Sequence, residues 1–166
     1  MPAVLEAFIA LGSNQGEAIE NVLQALDRLA AFSRAPLRRS SLWETAPLDC
    51  PPGSPPFINA IAGIHPHSGE TPESLLQRLQ ALEKEFGRRP KQVLNEPRPL
   101  DLDLIAFGRE TRNAAELVLP HPRAHQRLFV LQPLAELAPK LILPGQNETV
   151  SELVKHMGDS QITRRI

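Results

Sequence analysis

The chain has 166 residues, 42% hydrophobic and 22% charged, and a formal net charge of −1. That length suits one compact domain over residues 1–166 with a proper buried core, and the charge balance excludes non-specific polyanion binding, which needs a strongly basic surface. A single cysteine, Cys50, excludes an internal disulfide; with no apolar run near the roughly 18 residues of a membrane span and no basic segment before Leu11, a cytoplasmic protein is expected.

Glu6 to Leu11 is a short apolar run ending in Gly12-Ser13-Asn14, which reads as a buried strand and a turn. A helix follows, with Ile19, Val22, Leu23, Leu26 and Leu29 at helical spacing, and Ser13 or Asn14 is expected to cap it. Leu37 to Thr45 has the β-branched and aromatic content of a second strand. Pro47 to Pro56, in which five of ten residues are proline, reads as a stiff loop, a candidate wall for a substrate. Phe57 to His65 alternates as a third strand. Phe57, Asn59, Ile61 and Gly63 share one face, and Ile58, Ala60, Ala62 and Ile64 share the other. Asn59 is the odd member, an amide that must find partners if buried. Thr71 to Gly87 carries a full set of helix signals: Thr71 as cap, Pro72 at the first position, Gly87 as the left-handed stop.

The basic loop Arg88 to Arg98 delivers four cations to the strand Arg98 to Phe107. There Leu100, Leu102 and Leu104 face one way and Asp101 and Asp103 the other, the two aspartates about 6.6 Å apart along the strand. That separation suits a shared cluster of hard cations better than a shared proton. Aspartate is a poor strand former, so its double use where a strand enters the core needs a reason. After a turn at Gly108 to Arg112, His121, Arg123, His125 and Arg127 form a second cationic patch suited to phosphate. A helix is expected from about Arg123 through Leu137, interrupted by Pro133, then a short strand at Leu141-Ile142-Leu143. Thr149 and Glu152 form a capping box opening a last helix, Val150 to Met157.

The order β-α-β-β-α-β with extra C-terminal elements points to an α+β ferredoxin-like plait. Fold alone does not decide function. Paired carboxylates between two cationic patches suit phosphoryl or pyrophosphoryl transfer from a nucleotide, with Mg2+ bridging phosphate oxygens. The rival is a non-catalytic plait, a ligand sensor or an RNA binder. The latter should be basic and rich in exposed aromatics, whereas aromatics make up 4% of this chain.

Pro97-Arg98-Pro99-Leu100-Asp101-Leu102-Asp103-Leu104-Ile105 resembles the signature of the 6-hydroxymethyl-7,8-dihydropterin pyrophosphokinase family. The likeness extends through Leu11-Gly12-Ser13-Asn14, Thr45-Ala46-Pro47-Leu48, Phe57-Ile58-Asn59-Ala60, Glu83 with Gly87-Arg88, and Pro120-His121-Pro122-Arg123. It closes with Arg127, Phe129 and Pro133-Leu134-Ala135-Glu136. This resemblance implies transfer of pyrophosphate from ATP to the pterin's hydroxymethyl oxygen, with two Mg2+ ions on Asp101 and Asp103. It implies catalytic roles for these aspartates with Arg88 and Arg98, and ATP contacts from Gln80, Glu83, Arg88, Arg98, Leu104, His121 and Arg127. The pterin is expected between Phe57 and Phe129, its amide edge read by Asn59 and by backbone over Thr45, Ala46 and Leu48. Small-molecule substrates, and no nucleic acid, membrane or partner protein, follow from the same likeness. One region departs from the family pattern: Pro90 and Leu94-Asn95-Glu96 stand in the loop that closes over the substrates, where the family often has arginine and Arg-Trp-Gly.

Overall fold

The computed structural model describes residues 5–46, 53, 55–87, 99–157 and 163–166. Its first half contains β1 (Ala7–Ser13), α1 (Ala18–Leu29), β2 (Arg38–Arg39), β3 (Trp43–Thr45), β4 (Phe57–Ile64) and α2 (Pro72–Glu85). Its second half contains β5 (Asp101–Phe107), β6 (Arg112–Asn113), β7 (Val118–Leu119), α3 (Leu128–Leu137), α4 (Val150–Met157) and β8 (Thr163–Arg165). The main sheet is antiparallel, with the path β5-β1-β4-β3-β8 and β2 pairing β4. β6 and β7 form a separate two-stranded ribbon.

Burial follows from this order. β1 lies between β4 and β5 and has helices on both sides, so it is almost wholly buried and reads as a continuous apolar run. Ile9, Leu11, Ile58, Ala60, Leu102 and Leu104 pack in one core with the apolar stripes of α1 and α2. Phe8, Ile61, Ile105 and Ala106 pack in a second core with α3 and α4. Along β5 the register jumps: Phe8 pairs with Ala106 but Ile9 pairs with Leu104. Ile105 is thus the extra residue of a bulge, which lets Ile105 and Ala106 both serve the second core.

One consequence of register governs the site. Asp101 lies opposite Gly12, Gly12 opposite Asn59, and Asn59 opposite Trp43. Directly paired residues point to the same side of a sheet. Asp101, Gly12, Asn59 and Trp43 therefore form a single row on the face that carries α3, with Asp103, Ala10 and Ile61 in a neighbouring row on that face.

Several expectations hold and several are corrected. Thr71 caps α2 in a reciprocal box with Ser74, Pro72 opens it, and Gly87 adopts φ +91° after it. Thr149 and Glu152 exchange the bonds of a capping box. Neither Ser13 nor Asn14 caps α1, which begins after Glu17 without a side-chain cap; both side chains are spent on distant carbonyls. The second strand is broken into β2 and β3, because Ser40 leaves the ladder and bonds Ile61 through both its N–H and its hydroxyl. Leu141-Ile142-Leu143 forms no strand. The Leu141 carbonyl accepts from Val150 N at 2.8 Å and so serves the start of α4. β8 supplies the added edge strand instead, pairing β3. The helix expected from Arg123 is a 3-10 turn over 124–126 followed by α3, which runs through Pro133 without a break.

Candidate active site

The aspartate strand is held on both sides of Asp101. Ser13 Oγ donates to the Pro99 carbonyl at 2.6 Å, and Asn21 Nδ2 donates to the same oxygen at 3.2 Å. One residue beyond Asp101, the Leu102 N–H donates to Glu83 Oε2 at 2.7 Å. β5 is an outer strand of the sheet, so that N–H would otherwise face outward; the Glu83 carboxylate, 8% exposed, reaches from α2 to accept it. These bonds fix where the half-buried Asp101 and Asp103 stand.

The second cationic patch closes over the same place. His121 N donates to the Ile105 carbonyl at 2.9 Å, tying the segment to β5. The His121 ring accepts at Nδ1 from Arg123 N at 3.2 Å, which requires the tautomer with its proton on Nε2. Burial first, then the charges of Arg127 and Arg123, lower the His121 pKa, while Asp101 opposes them. A neutral imidazole offering one N–H, with arginines beside it, suits an anion's oxygens. The Arg127 guanidinium lies over the Phe129 ring, 5.5 Å from its centroid.

On the same face, Phe57 and Phe129 are both half-buried. Phe57 belongs to β4, and Phe129 belongs to the first turn of α3. Asn59, which sequence alone left seeking a partner, donates from Nδ2 to Thr45 Oγ1 at 2.7 Å in a buried bond. Gly12 keeps this floor open: a Cβ there would stand 3.2 Å from Asn59 Oδ1 and 4.0 Å from the Phe57 ring. Asn14, 1% exposed, donates to the Pro55 carbonyl at 3.4 Å, just before β4.

Comparison with known proteins decides what this constellation belongs to. The profile of the 7,8-dihydro-6-hydroxymethylpterin-pyrophosphokinase (HPPK) family matches residues 8–139. The chain belongs to the HPPK family. It is 36% identical over 162 residues to the 2-amino-4-hydroxy-6-hydroxymethyldihydropteridine pyrophosphokinase of Haemophilus influenzae, covering 97% of this chain and 98% of that one. It is 34% identical over 155 residues, 93% of this chain, to the Folic acid synthesis protein fol1 of Pneumocystis carinii, of which it spans only 20%. Among solved structures, an HPPK-DHPS in complex with substrates superposes with a TM-score of 0.72 at 11% identity, over 96% of this chain and 44% of that one. At that identity the likeness shows the fold alone. As an HPPK, the chain is an ATP-dependent pyrophosphokinase of folate biosynthesis.

The sequence-expected HPPK residues fall into four groups. Asp101, Asp103, His121, Arg127, Phe129, Phe57, Asn59 and Thr45 belong to one face of the sheet or to the segment that closes over it, and Ala46 follows β3 directly. Gln80 and Glu83 lie on α2 beside the outer edge of β5; Gln80 is exposed. The Leu104 side chain is in the core behind the sheet, which leaves its backbone as the part able to meet a ligand. Arg88, Arg98 and Leu48 lie outside the described residues, as do the departures from the family pattern at Pro90 and Leu94 to Glu96.

Among the described residues, no three His, Cys, Asp or Glu side chains converge as a metal cage. Two carboxylates without a cage fit Mg2+, which is usually held by one or two carboxylates plus substrate phosphates and water. No helix among the described residues is long and apolar enough to cross a membrane. Sequence reading missed the roles of Ser13, Asn21 and Glu83 in holding β5. The signal for Ser13 lies in Gly12-Ser13-Asn14, a polar run straight after a buried strand, which local reading cannot tell from a helix cap.

Proposed function

We propose that residues 1–166 act as one domain that transfers the terminal pyrophosphate of ATP to the hydroxymethyl oxygen of 6-hydroxymethyl-7,8-dihydropterin. The hydroxymethyl oxygen bonds to the β-phosphorus, the bond from that phosphorus to the α-phosphate oxygen breaks, and AMP leaves. The alcohol's proton is released. The observation that carries this reading is the shared row: Asp101, Gly12 and Asn59 stand side by side on the sheet face that also carries α3 with Phe129.

Each residue has a definite task in this scheme. Asp101 and Asp103 hold two Mg2+ ions, which when bound supply the positive charge that neutralises the phosphate oxygens. Arg127, together with Arg88 and Arg98, binds the phosphates bidentately, and His121 donates Nε2–H. Gln80, Glu83 and the backbone of Leu104 line the nucleotide's place at the outer edge of β5. Phe57 and Phe129 stack the pterin, and Asn59 with Thr45, Ala46 and Leu48 reads its amide edge. Little covalent work falls to the protein, so catalysis is mostly positioning and charge stabilisation.

The order β5-β1-β4-β3 with α1 and α2 on one face supports the ferredoxin-like plait as the underlying topology. A reaction that consumes ATP, in a chain with one cysteine, suits the cytoplasm. The test is to incubate the protein with ATP, Mg2+ and the hydroxymethyl dihydropterin and to separate the products. AMP and the pterin diphosphate are expected in equal amounts. ADP in place of AMP, or no pterin product at any Mg2+ concentration, would refute the assignment.

A further inference from the structure

α3 lays a polar stripe against the strand edge that would read the pterin. Phe129, Gln132 and Glu136 stand at i, i+3 and i+7, so they share one helix face. Gln132 Oε1 accepts from Thr163 Oγ1 of β8. Glu136 collects more. Its Oε1 accepts from Trp43 Nε1 at 2.7 Å, its Oε2 accepts from Ser41 Oγ at 2.9 Å, and the Ser41 backbone N–H reaches Oε2 at 3.2 Å. A single carboxylate thus gathers three donors from the stretch that leads directly into Thr45.

The placement of those donors matters more than their number. Trp43 is the direct cross-strand partner of Asn59, and Asn59 bonds Thr45. Two turns up the same helix, Phe129 would cover the bound ring. Hydrogen bonds to an ionised acceptor are the strong ones, and these three join the helix carrying the aromatic cover to the strand carrying the polar reader. β3 is three residues long, too short for its own ladder to set its distance from α3.

We propose that Glu136 is a positioning residue for pterin binding: its clasp on Ser41 and Trp43 sets the width of the slot between Phe129 and the Thr45–Asn59 pair. This rests on the pterin reading given above. Glu136 touches neither substrate in this scheme, and the nucleotide's place at β5 lies across the sheet from the clasp. The clasp therefore controls pterin affinity and leaves nucleotide affinity alone.

Calorimetric titrations of wild type, Glu136→Ala, Glu136→Gln and Trp43→Phe test this. Each is titrated with a non-hydrolysable ATP analogue in Mg2+, then with 6-hydroxymethylpterin at saturating analogue. Glu136→Ala is expected to weaken pterin binding about tenfold, the scale of one lost charged hydrogen bond, with the analogue's affinity within about twofold. Trp43→Phe, which removes the Nε1–H together with the rest of the indole's five-membered ring, shifts the same way by less, and Glu136→Gln, which keeps one acceptor, falls between wild type and Glu136→Ala. Emission from Trp43, the chain's one tryptophan, reports whether Glu136→Ala has broken the clasp. Equal pterin affinity with altered emission, or parallel loss of pterin and nucleotide, overturns the proposal. If Glu136→Ala does not fold, Trp43→Phe decides on the same criterion. Wild type that fails to bind the pterin at all would refute the proposed function itself, and this inference with it.

Discussion

Arg127 stacks its guanidinium on the ring of Phe129 at 5.5 Å from the centroid, which joins the phosphate patch to the aromatic wall. Arg127 is also the residue immediately before α3, with extended backbone at φ −115°. Phe129→Leu should therefore injure both sites. Loss of a stacked pair, about 0.5–1.5 kcal/mol, weakens pterin binding roughly 2- to 12-fold. Loss of the cation–π platform, about 0.5–1 kcal/mol, weakens the nucleotide by a few-fold. Titration of each ligand separately checks this, and an unchanged nucleotide affinity would show the two residues to be uncoupled.

Asp101→Ala and Asp103→Ala should each abolish turnover while leaving a folded protein. Both side chains are only half-buried and face the site, whereas Leu102 and Leu104 between and beyond them carry the packing. AMP formation and far-ultraviolet circular dichroism, measured on the same preparations, separate the two effects. Chelation of divalent ions should likewise stop the wild type, and added Mg2+ should restore it. Unfolding of both variants would return these aspartates to a structural role.

Much of this site is legible in sequence because strand periodicity fixes faces. The alternation in 57–64 and 100–104 assigns Asn59, Asp101 and Asp103 to their sides without any structure, and the structure agrees. What periodicity lacks is the identity of cross-strand neighbours. That Gly12 separates Asp101 from Asn59 depends on register, which long-range pairing sets. Polar side chains that bond across many residues are equally silent. Ser13 reaches Pro99, and Glu136 reaches Ser41, so local reading turns the first into a helix cap and gives the second no role. Leu141-Ile142-Leu143 shows the opposite failure. Its apolar run is real, and Leu143 is buried, but the Leu141 N–H and carbonyl are taken by Ala138 and Val150, at the end of α3 and the start of α4, and not by a strand.

Glu83 should prove to be a stability residue as well as a site residue. Glu83→Ala strands the Leu102 N–H, a loss of about 1–3 kcal/mol when a buried donor is left unpaired, and in a domain of this size each kcal/mol lowers Tm by roughly 2–4 °C. Glu83→Gln keeps a carbonyl acceptor and should recover most of the loss. Thermal melts of the three proteins give the comparison. A Gln variant as unstable as the Ala variant would show that the charge, not the acceptor, is what matters.

Gly12→Ala asks a narrower question. Its added Cβ meets Asn59 Oδ1 at 3.2 Å, so the Asn59 amide has to shift, and that amide also holds Thr45 at 2.7 Å. The expected result is a higher KM for the pterin with the KM for ATP little changed, because the intrusion lies on the Asn59 side of the row. Steady-state kinetics with each substrate varied in turn reads this directly. A raised KM for ATP alone would place the crowding at Asp101 instead.

His121 links the site to pH. Its folded pKa lies below the ordinary value of 6.5, first because of burial and then because of Arg127 and Arg123, with Asp101 opposing. Between the folded and unfolded values the unfolded chain binds a proton that the folded chain refuses, so stability rises with pH in that window and is flat above it. Acidification from pH 7.5 through 6.5 and below should therefore lower the wild-type Tm more than that of His121→Gln, which lacks the titrating group. Protonation would also turn Nδ1 from an acceptor of the Arg123 N–H into a donor facing it. That second cost acts in the same direction. Melts of both proteins at half-unit pH steps measure the difference, and a wild type that gains stability relative to His121→Gln on acidification would overturn the assignment of a neutral imidazole.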